Sequence, residues 1–274
     1  MYLKEGLSWN FISLFYDRTN WDILIEKIND FETEICTRCK DFLISFSEEK
    51  GDNIRLTISS EIGDYEYIRK ETYTYFSSFF IESPSVQEKK VAYGKMFWRG
   101  YDNNSIAFDI FKLTHYGQHD IDLIKKTNNV IFKLVHPDYS QDNFSSLSLY
   151  LMITLLKLFI VKDDRKLVLN SMMSSVANDF RSYGLLNKIS KLMKEEAIDE
   201  RDLEEILDSY LESDPPDDIA IWSDLVYTFE SPRIQENFIF IIEQLFETLG
   251  QNQYHRALSL KILQSWVDNK NGLF

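Results

Sequence analysis

The chain has 274 residues, 44 acidic and 30 basic, for a formal net charge of −14. With 44% hydrophobic and 15% aromatic residues it holds enough apolar material for one large domain or two small ones, and it is not a disordered chain. Nine glycines and five prolines exclude a collagen-like or linker protein, and the excess of negative charge argues against a protein that coats nucleic acid through Lys and Arg.

Residues 1–116 read as mixed α and β. Trp9 to Tyr16 is aromatic, partly alternating, and predicts a strand. Thr19 or Asn20 caps a helix from Trp21 to Ile35, whose apolar residues Trp21, Leu24, Ile25, Ile28, Phe31 and Ile35 recur every three or four positions. Phe42–Phe46 and the strictly alternating Ile54–Ile58 predict two strands, joined by a turn that Gly51 and Asp52 suit. A helix over Asp64–Phe80 and a strand over Ser105–Phe111 complete the half. The order strand–helix–strand–strand–helix–strand predicts an α+β fold with a ferredoxin-like split β-α-β layer.

Residues 117–274 read as helices only. They are expected at 120–135, 145–161, 166–180, 185–196, 200–211, 219–229, 233–249 and 254–267, punctuated by Pro137, Pro215, Pro216, Pro232 and Gly250. This helical half is expected to pack on the sheet layer as one compact unit. The apolar run Leu147–Val161 is too short for a membrane span and predicts a buried helix. The first nine residues show no basic region followed by an apolar one, so the expected address is cytoplasmic, with no membrane and no nucleic acid as partner.

Little chemistry stands out as a fixed motif. Cys36-Thr-Arg-Cys39 is a C-x-x-C with no further cysteine to complete a zinc site, and it closes a helix rather than opening one. The expectation is two partly buried free thiols. His115 and His119 flank Gly117 at a strand-to-helix joint, and no H-E-x-x-H is present. The nucleophile elbow, the phosphate loop and the dinucleotide fingerprint are absent, so no cofactor is expected.

Two stretches are richer. Arg55 is placed between Ile54 and Leu56, pointing away from their apolar face. Tyr93, Trp98, Arg99, Tyr101, Asn103 and Asn104 crowd one expected loop, where rings supply flat contact area and amides read backbone. The acidic excess is concentrated as well: residues 195–218 carry 12 acidic and one basic side chain, which predicts a solvated helix face or a docking face for a basic partner.

Trp9–Ile25, Phe42–Phe46, Gly51–Thr57 and Gln264–Phe274 together resemble the thiopeptide-type bacteriocin biosynthesis domain. That domain also forms the C-terminal, glutamate-eliminating part of lantibiotic dehydratases. The family carries a strand of the form Phe-x-Arg-Tyr, then Gly-x-His-Ile/Leu-Arg-Leu-Arg, and a last helix with His-x-x-x-Asn-Arg-Leu. Arg55 keeps its place, Ser45 stands near the first arginine, Asn53 replaces the histidine, and the last helix has none. Losing those charges disfavours handling a glutamyl leaving group.

The resemblance therefore implies a stand-alone pyridine synthase of peptide natural-product maturation. Such an enzyme joins two dehydroalanines in a formal [4+2] aza-cycloaddition and releases the leader peptide. Its partners would be a modified precursor peptide with its leader, and other biosynthetic enzymes. Tyr93, Tyr101 and His115 would move protons, while Arg55, Trp98, Arg99, Asn103 and Asn104 would hold the peptide. The alternatives are a glutamyl-eliminating subunit of a split dehydratase and a non-catalytic leader-binding module.

Overall fold

The computed structural model describes residues 6–87, 100–112, 118–135, 143–159, 164–178, 234–251 and 253–271. The expected helices at 185–196, 200–211 and 219–229, and the acidic stretch 195–218, lie outside the described residues. Chain contacts divide the protein into two compact units, Met1–Gln141 with Glu247–Gly250, and Asp142–Phe246 with Gln251–Phe274.

The first unit runs β1 (Leu7–Phe15), α1 (Trp21–Asp30), β2 (Cys39–Ser47), β3 (Asn53–Glu61), α2 (Tyr65–Glu82), β4 (Ser105–Phe108) and α3 (Gln118–Val135). The strands form one antiparallel sheet in the order β2-β3-β1-β4. The fold is thus mixed α+β, with helices following the sheet.

Directly paired residues share a face of a sheet, so the register sorts every side chain. One face carries Ile44, Phe46, Ile54, Leu56, Ile58, Ile12, Leu14 and Ile106. It packs under α1 and α2. Trp21 meets Phe46 with ring centroids 5.3 Å apart, and Phe31 meets Phe42 and Phe76 at 6.3 and 5.3 Å. Each fully buried aliphatic here is worth about 1.5–3 kcal/mol.

The predicted first helix is cut short. α1 ends at Asp30, and Phe31–Ile35 continue as one wider π-turn. The turn after it brings Cys36 and Cys39 to a Cα separation of 5.2 Å, with the Cys39 N–H donating to the Cys36 carbonyl at 3.0 Å. The two are joined as a disulfide, which corrects the expectation of free thiols: one tight turn puts both Cβ atoms within bridging reach. β4 is also shorter than predicted. Asp109 turns to φ 60°, and its N–H donates to the Phe11 carbonyl, which ends the ladder at Phe108.

Helix α3, which by sequence belonged with the helical half, packs on β2 in the first unit. Beyond it run α4 (Asn143–Phe159), α5 (Arg165–Asn178), α6 (Ile234–Thr248) and α7 (Gln253–Asn271). In the second unit α7 packs on α5 and α4, and Gln251 donates to the Ser148 hydroxyl at 2.7 Å and the Phe144 carbonyl at 3.2 Å. Residues 147–159 of the expected buried helix fall on α4, where Leu151, Met152, Ile153, Leu155 and Leu156 are buried. Among the described residues no helix is long and apolar enough to cross a membrane.

Candidate active site

The second face of the sheet is built differently. Its rungs read Asp41–Ser59–Trp9, Leu43–Thr57–Phe11, Ser45–Arg55–Ser13–Ala107 and Ser47–Asn53–Phe15–Ser105. Polar side chains alternate with aromatic ones, yet Ser13, Asn53 and Ser59 are fully buried. Buried hydroxyl and amide groups cost free energy unless they are bonded, so such a face needs a reason.

Arg55 is its central cation. On its own rung it is flanked only by Ser45, Ser13 and Ala107, small side chains that leave room for the arginine stem. The guanidinium lies 4.8 Å over the Phe111 ring, and Phe111 meets Phe11 edge-on at 5.6 Å. Its Nη2 donates to Glu49 Oε2 at 2.6 Å. The Glu49 side chain is 65% exposed, so the pair stabilises by about 1 kcal/mol at most and exchanges readily for another acceptor. The Arg55 Nε–H, the Ser13 hydroxyl and the Asn53 Oδ1 are buried without a hydrogen-bond partner.

The β2–β3 turn positions this end of the site. Lys50 and Gly51 take φ 64° and 121°. The Asn53 amide donates to the Ser47, Glu49 and Gly51 carbonyls at 3.2, 3.1 and 2.7 Å, which locks the hairpin and fixes its own orientation. Burial pushes the Asp52 carboxyl up from its ordinary range, helped by Glu48 and Asp17 and opposed by Arg18.

Of the eight site residues expected from sequence, four are described. Tyr101 stacks on Phe15 at 4.7 Å with a 20° interplanar angle, and its N–H donates to the Lys50 carbonyl at 2.9 Å. Phe15 is two residues along β1 from Ser13, on the same face. Tyr101 and Arg55 therefore share one end of one sheet face, tied to the same hairpin. Tyr101 is 41% exposed.

Asn103 and Asn104 go elsewhere. Both amides bond Ser85: Asn104 Oδ1 accepts from the Ser85 N–H at 2.9 Å, and both Nδ2 groups donate to the Ser85 carbonyl, at 2.9 and 3.0 Å. They serve as a clamp in this structure, where the sequence suggested peptide-holding groups. Tyr93, Trp98, Arg99 and His115 lie outside the described residues.

Ser13 and the polar rungs escaped sequence reading. The signal was present as a serine between Phe11 and Phe15 on one parity of a strand whose other parity is Asn10, Ile12 and Leu14. A donor-rich arginine beside a tyrosine phenol and small hydroxyls can bind and polarise a carbonyl and pass a proton. Among the described residues no group of three or more His, Cys, Asp or Glu is placed to hold a metal ion.

No family model matches the sequence, and no curated protein matches it. Among solved structures the fold is similar to the pyridine synthase TbtD from thiomuracin biosynthesis. The TM-score is 0.67 at 10% identity, over 97% of this chain and 98% of that one.

Proposed function

We propose that this chain matures a ribosomally made, post-translationally modified peptide as a pyridine synthase. The likeness of fold over nearly the full length of both chains carries the reading. The sheet order supports a ferredoxin-like reading of the first unit.

The reaction needs the amide carbonyl before one dehydroalanine in its iminol form. Two carbon–carbon bonds then form, one between the two methylene carbons and one between the second dehydroalanine α-carbon and that carbonyl carbon. The carbonyl oxygen leaves as water and the leader leaves as a carboxamide; each leaving group takes up a proton, and each of the two former methylene carbons gives one up, so the pyridine forms with no oxidant. As written, the reaction calls on no metal and no nucleotide. Arg55 would bind the carbonyl oxygen in place of Glu49. Tyr101 would move a proton, and the hairpin to which both are tied would hold the two in register.

The engaged amides of Asn103 and Asn104 and the Arg55–Glu49 pair favour, as second reading, a non-catalytic module that binds a leader peptide. Incubation with a purified dehydroalanine-containing precursor separates the readings. Loss of water with a free leader, seen by mass, supports the synthase. Loss of glutamate from a glutamylated precursor supports elimination. Binding with no mass change supports the module. Neither binding nor turnover removes all three. For the synthase, Arg55→Ala is expected to lower kcat by about 10²-fold, the usual effect of removing one donor to a developing oxyanion.

A further inference from the structure

On the helical side of the sheet, a groove of about 420 Å³ opens along α2 against Lys27 of α1. Its α2 wall is Glu71, Thr74, Tyr75, Ser78, Phe79 and Glu82. Successive steps of three, one, three, one and three lay these residues along one helical face. Glu71 and Glu82 stand at its two ends, eleven residues or about 16 Å apart.

The charges of this groove are unevenly settled. Lys27 is held by Asp30 at 2.9 Å, so the cation of the far wall is already neutralised. Among the described residues neither the Glu71 nor the Glu82 side chain has a hydrogen bond or ion pair. Between them, the Tyr75 ring packs against Phe31 and Phe76 at 5.3 and 5.1 Å. Burial pushes the Tyr75 phenol up, with the Asp30 and Glu34 carboxylates adding to the effect and Lys27 opposing it. The groove thus offers two uncompensated carboxylates with aromatic surface between them.

We propose that this groove docks a basic linear peptide segment. An extended chain rises about 3.3 Å per residue. Two lysine or arginine side chains five positions apart would reach Glu71 and Glu82, and an apolar side chain between them would meet Tyr75 and Phe79. The groove lies on the opposite face of the sheet from Arg55, and the proposal does not depend on the pyridine synthase reading.

The probe is a fluorescent six-residue peptide with lysine first and last and leucine between, titrated by anisotropy into the full chain at low salt. Binding is expected, weakening as salt rises and absent for the same peptide with glutamates at both ends. Glu71→Gln with Glu82→Gln is expected to weaken binding by about three- to tenfold, since each exposed pair is worth little alone. Ser78→Arg, which fills the groove from an exposed position, is expected to abolish it. A wild-type chain that ignores the lysine peptide at millimolar concentration overturns the proposal. So does binding that survives both the double substitution and Ser78→Arg with an unchanged unfolding transition. Precursor turnover is measured separately, so loss of one reading leaves the other standing.

Discussion

Asn128 of α3 and Ile44 of β2 exchange a pair of hydrogen bonds. The Ile44 N–H donates to Asn128 Oδ1 at 2.9 Å, and Asn128 Nδ2 donates to the Ile44 carbonyl at 2.5 Å. β2 is an edge strand, with backbone groups that face no neighbouring strand. A side-chain amide here does the work of the missing ladder, from a helix rather than a strand.

Asn128→Leu is therefore expected to cost about 2–4 kcal/mol. It leaves a buried N–H and a buried carbonyl unpaired on the edge. Denaturant unfolding measures this. Asn128→Asp, which keeps the acceptor and loses the donor, is expected to fall between the two.

Ser13→Ala is expected to act in the opposite direction. The hydroxyl is fully buried and makes no hydrogen bond, so its removal should stabilise the fold by about 1 kcal/mol. If the hydroxyl serves a substrate held by Arg55, the same variant raises Tm and lowers turnover. A variant with lower Tm would show that Ser13 is needed for the fold itself.

Gly250→Ala is expected to be among the most damaging single changes. A Cβ there would lie 2.3 Å from the Phe46 carbonyl oxygen, and Gly250 has φ +63°. Neither the strand backbone nor a left-handed residue can give way cheaply. A loss of more than about 2 kcal/mol in unfolding free energy is expected.

Asp52 gives the pH dependence a sign. Its pKa is raised in the folded chain, chiefly by burial. The folded state thus favours the protonated form, and the charged form costs stability at neutral pH. That cost is relieved as pH falls through the folded pKa toward the ordinary carboxylate value of 3.8. Asp52→Asn is expected to be more stable than wild type at pH 7, with the difference shrinking between neutral pH and pH 4. Urea midpoints across that range test it.

The strands were legible because Ile54, Leu56 and Ile58 alternate with polar residues, and a period of two depends on nothing distant. α1 and α2 were legible for the same local reason. What stayed hidden was non-local. Nothing near Asn128 in the sequence says that Ile44, 84 residues away, needs a partner. Asn103 and Asn104 looked free because their partner, Ser85, is reached only when β4 pairs with β1. The disulfide depended on a π-turn that residue periodicity does not specify. Arg55 was placed correctly on the strand face; the register gave it Ser13 as a neighbour, and the stack on Phe15 brought Tyr101 to the same end of that face.

The Ser85 clamp bears on how this protein could diversify. Ser85 also accepts the Asp17 N–H at 2.9 Å, so one serine joins the end of β1, the end of α2 and the approach to β4. The chain leaving α2 at Ser85 and the chain entering β4 at Asn103 and Asn104 are thus pinned to one point. A change at Ser85 would therefore have to be matched at Asp17, Asn103 and Asn104, so this position is expected to vary only together with its partners.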